Sequence, residues 1–241
     1  MNYKLEVIAF TIESCLVIER AGAHRIELCD NPGEGGTTPS FGFLKLAREK
    51  TTIELYPMIR PRGGDFLYSD DEFELMKKDV LLCKEIGCDG IVIGLLNADG
   101  TVDKKRTAQL IELAYPLGVT FHRAFDRVRD GLEALETLIE IGGERVLTSG
   151  LTPNVTKGAD YLTQLVKAAD ERIIIMPGSG VRSNNIAALA RQTGAVEFHT
   201  SARTMIASQM NYLNAAMNEE LKTVIADEEE IKKTLKELAK S

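Results

Sequence analysis

The sequence of 241 residues is poor in the residue types that define several protein classes. It has four cysteines and three histidines and no CxxC motif, too few for a zinc ribbon or a disulfide framework. No apolar run reaches the roughly 18 residues of a membrane span, and the first residues lack the basic and apolar parts of a signal peptide. We therefore expect no membrane partner and a cytoplasmic location with reduced thiols.

Basic residues are also fewer than acidic ones. The chain has 29 Lys and Arg residues against 36 Asp and Glu residues, a formal net charge of −7. A nucleic-acid-binding protein needs a basic face, so this balance predicts no nucleic-acid partner. It leaves open a local positive pocket for a small anion.

The sequence does contain one pattern of segments that is repeated eight times. Short apolar segments, rich in β-branched residues, alternate with longer segments of helical periodicity, a pattern typical of parallel α/β folds. The strands are predicted at residues 5–10, 25–29, 52–59, 90–95, 119–122, 145–149, 172–176 and 196–199. Eight equal units predict a single (β/α)8 TIM barrel, over about residues 5–225 of one domain that spans 1–241.

Two further features complete the predicted fold. No Gly-x-Gly-x-x-Gly follows the first strand, which favours the barrel over a doubly wound sheet. After the eighth strand the spacing predicts a long helix over 203–226, and then a short extra C-terminal helix over about 227–240. Ile231, Leu235 and Leu238 share one face of that last helix.

Alternation along the strands predicts which side chains point to the barrel axis. Leu5, Val7 and Ala9 should pack against helices, whereas Glu6, Glu27, Glu54, Glu197, Cys29, Tyr56, Met58, Arg60, His122 and His199 should point inward. Buried carboxylates need cations or protons, so an internal salt-bridge network involving Arg60 or Arg145 is one interpretation, above all for Glu6 and Glu54. The alternative is a functional site.

The functional interpretation is favoured for side chains at the C-terminal ends of the strands, where TIM-barrel active sites lie. The predicted acid–base residues there are Glu27, His122, Asp126 and His199, with Asp126 or a neighbouring carboxylate orienting the imidazole of His122. A mononuclear metal held by the same four residues stays open, although no pair has ligand spacing on one element. No lysine ends a strand, which argues against Schiff-base chemistry.

The loops after the strands predict an anion site. Arg60 and Arg62 flank glycines after the third strand, and arginine binds carboxylate or phosphate through two hydrogen bonds. Loops near the last strands of a TIM barrel commonly hold phosphate with backbone N–H groups. The predicted cradle residues are Ser149, Gly178, Ser179, Gly180 and Ser201.

Five motifs in register carry a resemblance to a known family. They are Arg25–Cys29, Met58–Phe66, Thr120–Asp126, Arg145–Gly150 and Glu197–His199. Together they make the chain, from about residue 5 to 205, similar to the CutC copper homeostasis family. The resemblance implies a TIM barrel, a cytoplasmic homo-oligomer and a role in copper tolerance with copper(I) binding or trafficking.

At the predicted copper site, this sequence differs from what the resemblance implies. Copper(I) is a soft ion that prefers thiolates, and Cys29 is the predicted metal ligand. Many relatives have a second cysteine where this chain has Ile8, so a two-thiolate site cannot form there. Two functions are therefore expected: copper(I) binding through Cys29, or acid–base enzymology on a small anionic or phosphorylated metabolite.

Overall fold

The computed structural model describes residues 3–241 and contains eight parallel strands, of which the first seven are each followed by an α-helix. The strands are β1 (Lys4–Ala9), β2 (Arg25–Leu28), β3 (Glu54–Pro57), β4 (Gly90–Ile93), β5 (Gly118–Phe121), β6 (Arg145–Thr148), β7 (Ile174–Pro177) and β8 (Glu197–Thr200). The first seven helices are α1 (Ile12–Arg20), α2 (Phe41–Lys50), α3 (Asp70–Ile86), α4 (Lys104–Ala114), α5 (Gly131–Glu140), α6 (Val155–Ala169) and α7 (Ile186–Thr193).

The strands close into a barrel through two parallel four-stranded sheets. One has the order β3-β2-β1-β8 and the other β4-β5-β6-β7. Met58 and Val92 form a parallel bridge where β3 meets β4, and β7 packs beside β8 at the other junction. The predicted TIM barrel is confirmed.

The two faces of the strands bury different sets of side chains. Leu5, Val7 and Ala9 belong to the large core between strands and helices. A separate inner cluster, formed by Cys29, Tyr56, Met58 and Val92 with Ile8 and Phe10 against it, fills part of the barrel axis. The alternation therefore predicted the inward and outward faces correctly.

The segment after β8 differs from the prediction. Instead of a long helix over 203–226, the chain forms an antiparallel hairpin of β9 (Arg203–Ala207) and β10 (Lys222–Ala226). The apolar residues of this segment are spaced as they would be on one face of a helix. However, Thr223, Val224 and Ile225 are β-branched and pair with β9, as strand formers do.

The predicted C-terminal helix is confirmed as α8 (Glu228–Leu238). Asp227 caps its first turn by accepting hydrogen bonds from the N–H groups of Glu229 and Glu230. The helix packs against α7 and α1, so it occupies the position between the seventh and first helices of the outer ring. Among residues 3–241, none of the helices has the length and apolar character that crossing a bilayer requires.

Candidate functional site

A cavity of about 1080 Å³ opens at the C-terminal ends of the strands. Seven of the predicted site residues line it: Glu27, Arg60, His122, Ser179, Gly180, His199 and Ser201. The other five lie outside its wall: Cys29, Arg62, Asp126, Ser149 and Gly178. The fold thus brings together residues from β2, β8 and the loops after β3, β5 and β7.

Three buried side chains, Glu6, His199 and Glu27, meet below the cavity. Nδ1 of His199 lies 2.7 Å from Oε1 of Glu6, so a hydrogen bond orients the ring. The other nitrogen, Nε2, faces Glu27 with 3.9 Å to Oε2. Oε1 of Glu27 is buried and has no hydrogen-bond partner among residues 3–241. We call these three residues the floor cluster.

The floor cluster has perturbed protonation. Burial raises the pKa of Glu27 to about 7, and the Glu6 carboxylate adds to the rise while His199 opposes it. Burial lowers the pKa of His199, but Glu27 and Glu6 outweigh it and hold that pKa above its usual value. Burial also raises the pKa of Glu6, but Arg25 and His199 outweigh it and hold that pKa at about 2. Glu27 is therefore the carboxyl group that exchanges a proton near neutral pH.

Beneath the floor cluster, Arg25 is the hub of an ion-pair network. Its Nε lies 2.6 Å from Glu6, and its terminal nitrogens bind Glu54 and Glu197. Arg145 binds Glu197 from the other side at 2.6 Å. The expected internal network exists, and of the two arginines considered for it, Arg145 is the one that takes part. Arg25 was missed, although it shares the inward face of β2 with Glu27.

His122 is buried in the cavity wall and is neutral. Its Nδ1 accepts a hydrogen bond of 3.1 Å from the N–H of Ala124, and its Nε2 has no partner in the part of the chain that the structure describes. Burial, with Arg60 nearby, lowers the pKa of His122 to about 3. The ring packs where Gly94 has no side chain, since a Cβ at Gly94 would clash with it.

Asp126 does not orient His122, contrary to the prediction. Its carboxylate accepts hydrogen bonds from Thr148, from both the N–H and the hydroxyl of Ser149, and from Nε of Arg123 at 2.7 Å. The hydroxyl of Ser149 also accepts a hydrogen bond from Arg123. Asp126 and Ser149 therefore hold Arg123 in the cavity wall and do not themselves line it.

The two arginines predicted to bind an anion donate most of their hydrogen bonds to groups of the protein itself. Arg60 donates hydrogen bonds to the backbone carbonyls of Glu34, Gly36 and Gly64, which ties the loops after β2 and β3 together. Only its Nε is buried without a partner. Arg62 binds Glu72 and the Leu67 carbonyl outside the cavity.

The residues of the predicted glycine-rich cradle lie partly in the cavity wall and partly outside it. Ser179 has a positive φ of 74° and donates its hydroxyl to the Pro153 carbonyl, so this turn is anchored to the loop before α6. Ser179, Gly180 and Ser201 face the cavity. Gly178 instead leaves space for Leu147, since a Cβ at Gly178 would clash with it.

Four arginines of the wall were not predicted. Arg123, Arg127, Arg182 and Arg203 all line the cavity and follow β5, β7 or β8 in the chain. Within residues 3–241, Arg127, Arg182 and Arg203 have no carboxylate partner, although acids outnumber bases in the sequence. We call these three the mouth arginines. Each lies within six residues of the C-terminal end of a strand, and this position was the signal that would have found them.

Cys29 lies in the inner cluster, beside but not in the cavity wall. It is fully buried, and burial together with the Glu27 carboxylate raises the pKa of its thiol well above the usual range. A Cβ at Gly36 would lie 3.0 Å from Sγ of Cys29 and 3.6 Å from Cε of Met58. Both sulfur-containing side chains therefore pack under the same loop.

Comparison with known proteins agrees with this architecture. The CutC family model matches residues 3–204. A CutC family protein of Chromobacterium violaceum is 52% identical over 88% of this chain and 86% of its own length. The human copper homeostasis protein cutC homolog is 46% identical over 90% and 79%.

A solved structure shows the same fold. The crystal structure of CutC from Streptococcus agalactiae superimposes with a TM-score of 0.78 at 33% identity, covering 83% of this chain and 98% of that one. The family match ends before most of the hairpin and α8. With its barrel, its motifs and these relatives, the chain belongs to the CutC family.

Proposed function

We propose that the cavity binds a small anionic metabolite and that Glu27 exchanges a proton with it. The observation that carries this proposal is the charge layout: three arginines without carboxylate partners surround the mouth, and a carboxyl group with a pKa of about 7 lies below. Arginine at such a mouth recognises carboxylate or phosphate groups.

The roles of the other residues follow from their contacts. His199 faces Glu27 and stabilises its carboxylate form, while Glu6 holds the His199 ring. His122 offers an uncharged Nε2 in the same wall. Asp126 and Ser149 position Arg123, which adds a fourth guanidinium to the anion site.

Thermal-shift measurements with inorganic phosphate and a library of carboxylate and phosphate metabolites test anion binding. An anion should raise the melting temperature of the wild type, and the double variant Arg182→Gln, Arg203→Gln should lose that rise. Arg191→Gln is the matched control, because Arg191 is an exposed arginine outside the cavity. If no anion stabilises the wild type, the proposal is wrong.

Proton exchange is tested on the ligand that this screen finds. In deuterated water, NMR should show exchange of a C–H proton of the bound metabolite with the wild type. Glu27→Gln should bind the metabolite but abolish the exchange, because the amide cannot take up a proton at neutral pH. Equal exchange rates in both proteins would contradict the role of Glu27.

A second candidate function is copper(I) binding, as the names of the mouse and human relatives suggest. The specific observation in its favour is that Cys29 and Met58 pack together on the barrel axis. Thiolate and thioether are the donors that copper(I) prefers. One thiol with a raised pKa, beside the apolar Ile8, fits a weak site only.

Titration with copper(I) against a competing chelator tests this second candidate. Cys29→Ala should remove the bound copper(I), while Cys15→Ala should retain it, because Cys15 is a buried thiol in the outer core. Unchanged affinity in Cys29→Ala would end the copper proposal for this site.

The CutC resemblance also supports a cytoplasmic location and assembly into a homo-oligomer. Light scattering coupled to size-exclusion chromatography measures the assembly: a mass near twice 26.5 kDa or a higher multiple is expected. A mass of one chain at all concentrations would contradict it.

A further inference from the structure

The floor cluster has the composition and spacing of a metal site. Glu6, Glu27 and His199 each present one ligand atom, and these atoms lie within 4.8 Å of one another. All three side chains are buried, so the cluster is preformed. One imidazole and carboxylate oxygens are donors that borderline divalent ions such as Zn²⁺ accept.

The orientation of the His199 ring favours a cation beside Nε2. Its Nδ1 is bound to Glu6, so Nε2 is the nitrogen turned toward Glu27. Metal-binding histidines commonly donate their second N–H to a carboxylate in this way, which fixes the ring and makes the ligand nitrogen more basic. Glu6 is therefore placed as a positioning residue behind the ligand.

The gap between Nε2 of His199 and Oε2 of Glu27 has a suitable size. At 3.9 Å it is too long for a hydrogen bond. Two tetrahedral bonds of about 2.1 Å place their ligand atoms about 3.4 Å apart, so a closure of about 0.5 Å completes the pair.

The cationic neighbour of Glu27, His199, lies beyond hydrogen-bond distance, with 3.9 Å between Nε2 and Oε2. Within the described residues, Oε1 of Glu27 is buried without any hydrogen bond, an arrangement that is costly and rare in proteins. The nearest guanidinium hub, Arg25, is already bound to Glu6, Glu54 and Glu197. A cation above Glu27 would satisfy the free oxygen.

We propose that a divalent cation of the Zn²⁺ type binds between Glu27 and Nε2 of His199, with Glu6 positioning the histidine. The remaining coordination positions face the cavity, where water or the anion completes them. Only that last point rests on the proposed function; metal binding itself does not. In this state the cation takes the place of the proton on Glu27.

Calorimetric titration of the metal-free chain with ZnCl₂ at pH 7.5 tests the proposal. We expect about one tight site per chain, a loss of binding by 100-fold or more in His199→Gln and in Glu27→Gln, and a loss of about 10–100-fold in Glu6→Gln. Glu140→Gln, at an exposed glutamate on α5, is the matched control and should bind like the wild type.

Two measurements on the wild type keep the test independent of how the variants fold. Zn²⁺ should raise the melting temperature, and Co²⁺ should give a visible spectrum without the near-ultraviolet charge-transfer band of a thiolate ligand. No stabilisation by Zn²⁺, a thiolate band, or unchanged affinity in folded Glu27→Gln would each overturn the proposal.

The outcomes separate this proposal from the proposed function. Stabilisation by an anion without Zn²⁺ binding would refute the metal site and leave anion binding intact. Zn²⁺ binding without any anion effect would refute the proposed function and support the metal site.

Discussion

At the scale of single residues, Glu27 shows how burial brings the pKa of a carboxyl group close to neutral pH. The carboxyl group is 2% exposed and lacks a donor at one oxygen, and its pKa rises to about 7. The neighbouring Glu6 is equally buried, yet Arg25 and His199 hold its pKa at about 2. Partners, and not burial alone, therefore decide which of the two carboxyl groups exchanges protons.

This difference predicts how stability depends on pH. The folded-state pKa of Glu27 lies above its unfolded value of 4.5, so its contribution is complete below pH 4.5 and is lost as pH rises through about 7. The raised pKa of His199 acts in the same direction, as its contribution is lost above its unfolded value of 6.5.

Urea denaturation at pH 5, 6, 7 and 8 measures the effect. We expect the free energy of unfolding of the wild type to fall relative to that of Glu27→Gln over this range, while Glu140→Gln stays parallel to the wild type. A constant difference between wild type and Glu27→Gln would show that Glu27 does not titrate there.

Arg25 gives a second prediction at this scale. In Arg25→Met, Glu6 and Glu197 lose a buried partner, and breaking one partner of a buried ion pair costs about 3–5 kcal/mol. Arg172→Met removes an exposed pair with Glu136 and should leave the stability nearly unchanged. Denaturant unfolding of both variants measures the difference, and equal losses would contradict a structural role for the buried network.

At the scale of elements, the starts of β4 and β5 are shaped by one aromatic side chain. Tyr56 of β3 fills the barrel axis, with the guanidinium of Arg25 4.8 Å from its ring centre. A Cβ at Gly90 or at Gly118 would clash with this ring or its hydroxyl group. Both glycines are therefore required by packing and not by backbone conformation.

Alanine at Gly90 tests this packing. Gly90→Ala should destabilise the fold by about 1–3 kcal/mol, because a methyl group overpacks the axis against Tyr56. Gly42→Ala is the matched change in the helix α2, where the new Cβ meets open space and helix propensity should stabilise by about 0.5–1 kcal/mol. Thermal unfolding should give shifts of opposite sign, and a stabilised Gly90→Ala would refute the clash.

The sequence predicted an element correctly where its apolar residues followed a single periodicity. Where helical and strand signals overlapped, the prediction failed. Alternation in β1 assigned Glu6 to the axis and Val7 to the helices, because each strand has only two faces. The segment 203–226 mixes helical apolar spacing with β-branched residues, and the pairing that made it a hairpin joins residues up to 23 positions apart. The partners of Asp126 were hidden for the same reason, since Ser149 lies on another loop.

At the scale of the whole molecule, the hairpin and α8 make unequal contributions to the barrel. All residues from 209 to 221 are exposed, and the hairpin approaches the barrel mainly through the contacts of β10 with α1 and β1. In α8, by contrast, Ile231 and Leu238 are buried against neighbouring helices. Glu228 binds Arg20, and Glu230 binds Ser183, so α8 is tied to both sides of the ring.

Two deletions test this division, because the family match ends at residue 204 and does not reach α8. Replacing residues 208–221 by an Asn-Gly dipeptide joins Ala207 to Lys222, which face each other in the ladder, through a two-residue turn. This shortened hairpin should leave the melting temperature unchanged within about 2 °C.

Ending the chain after Asp227 should lower the melting temperature by on the order of 10 °C, because each buried apolar side chain contributes about 1.5–3 kcal/mol. Calorimetry of both proteins beside the full chain gives the comparison. A truncation as stable as the full chain would show that seven helices suffice to close this barrel, and a large loss in the shortened hairpin would show that the exposed segment is itself covered in the assembled protein.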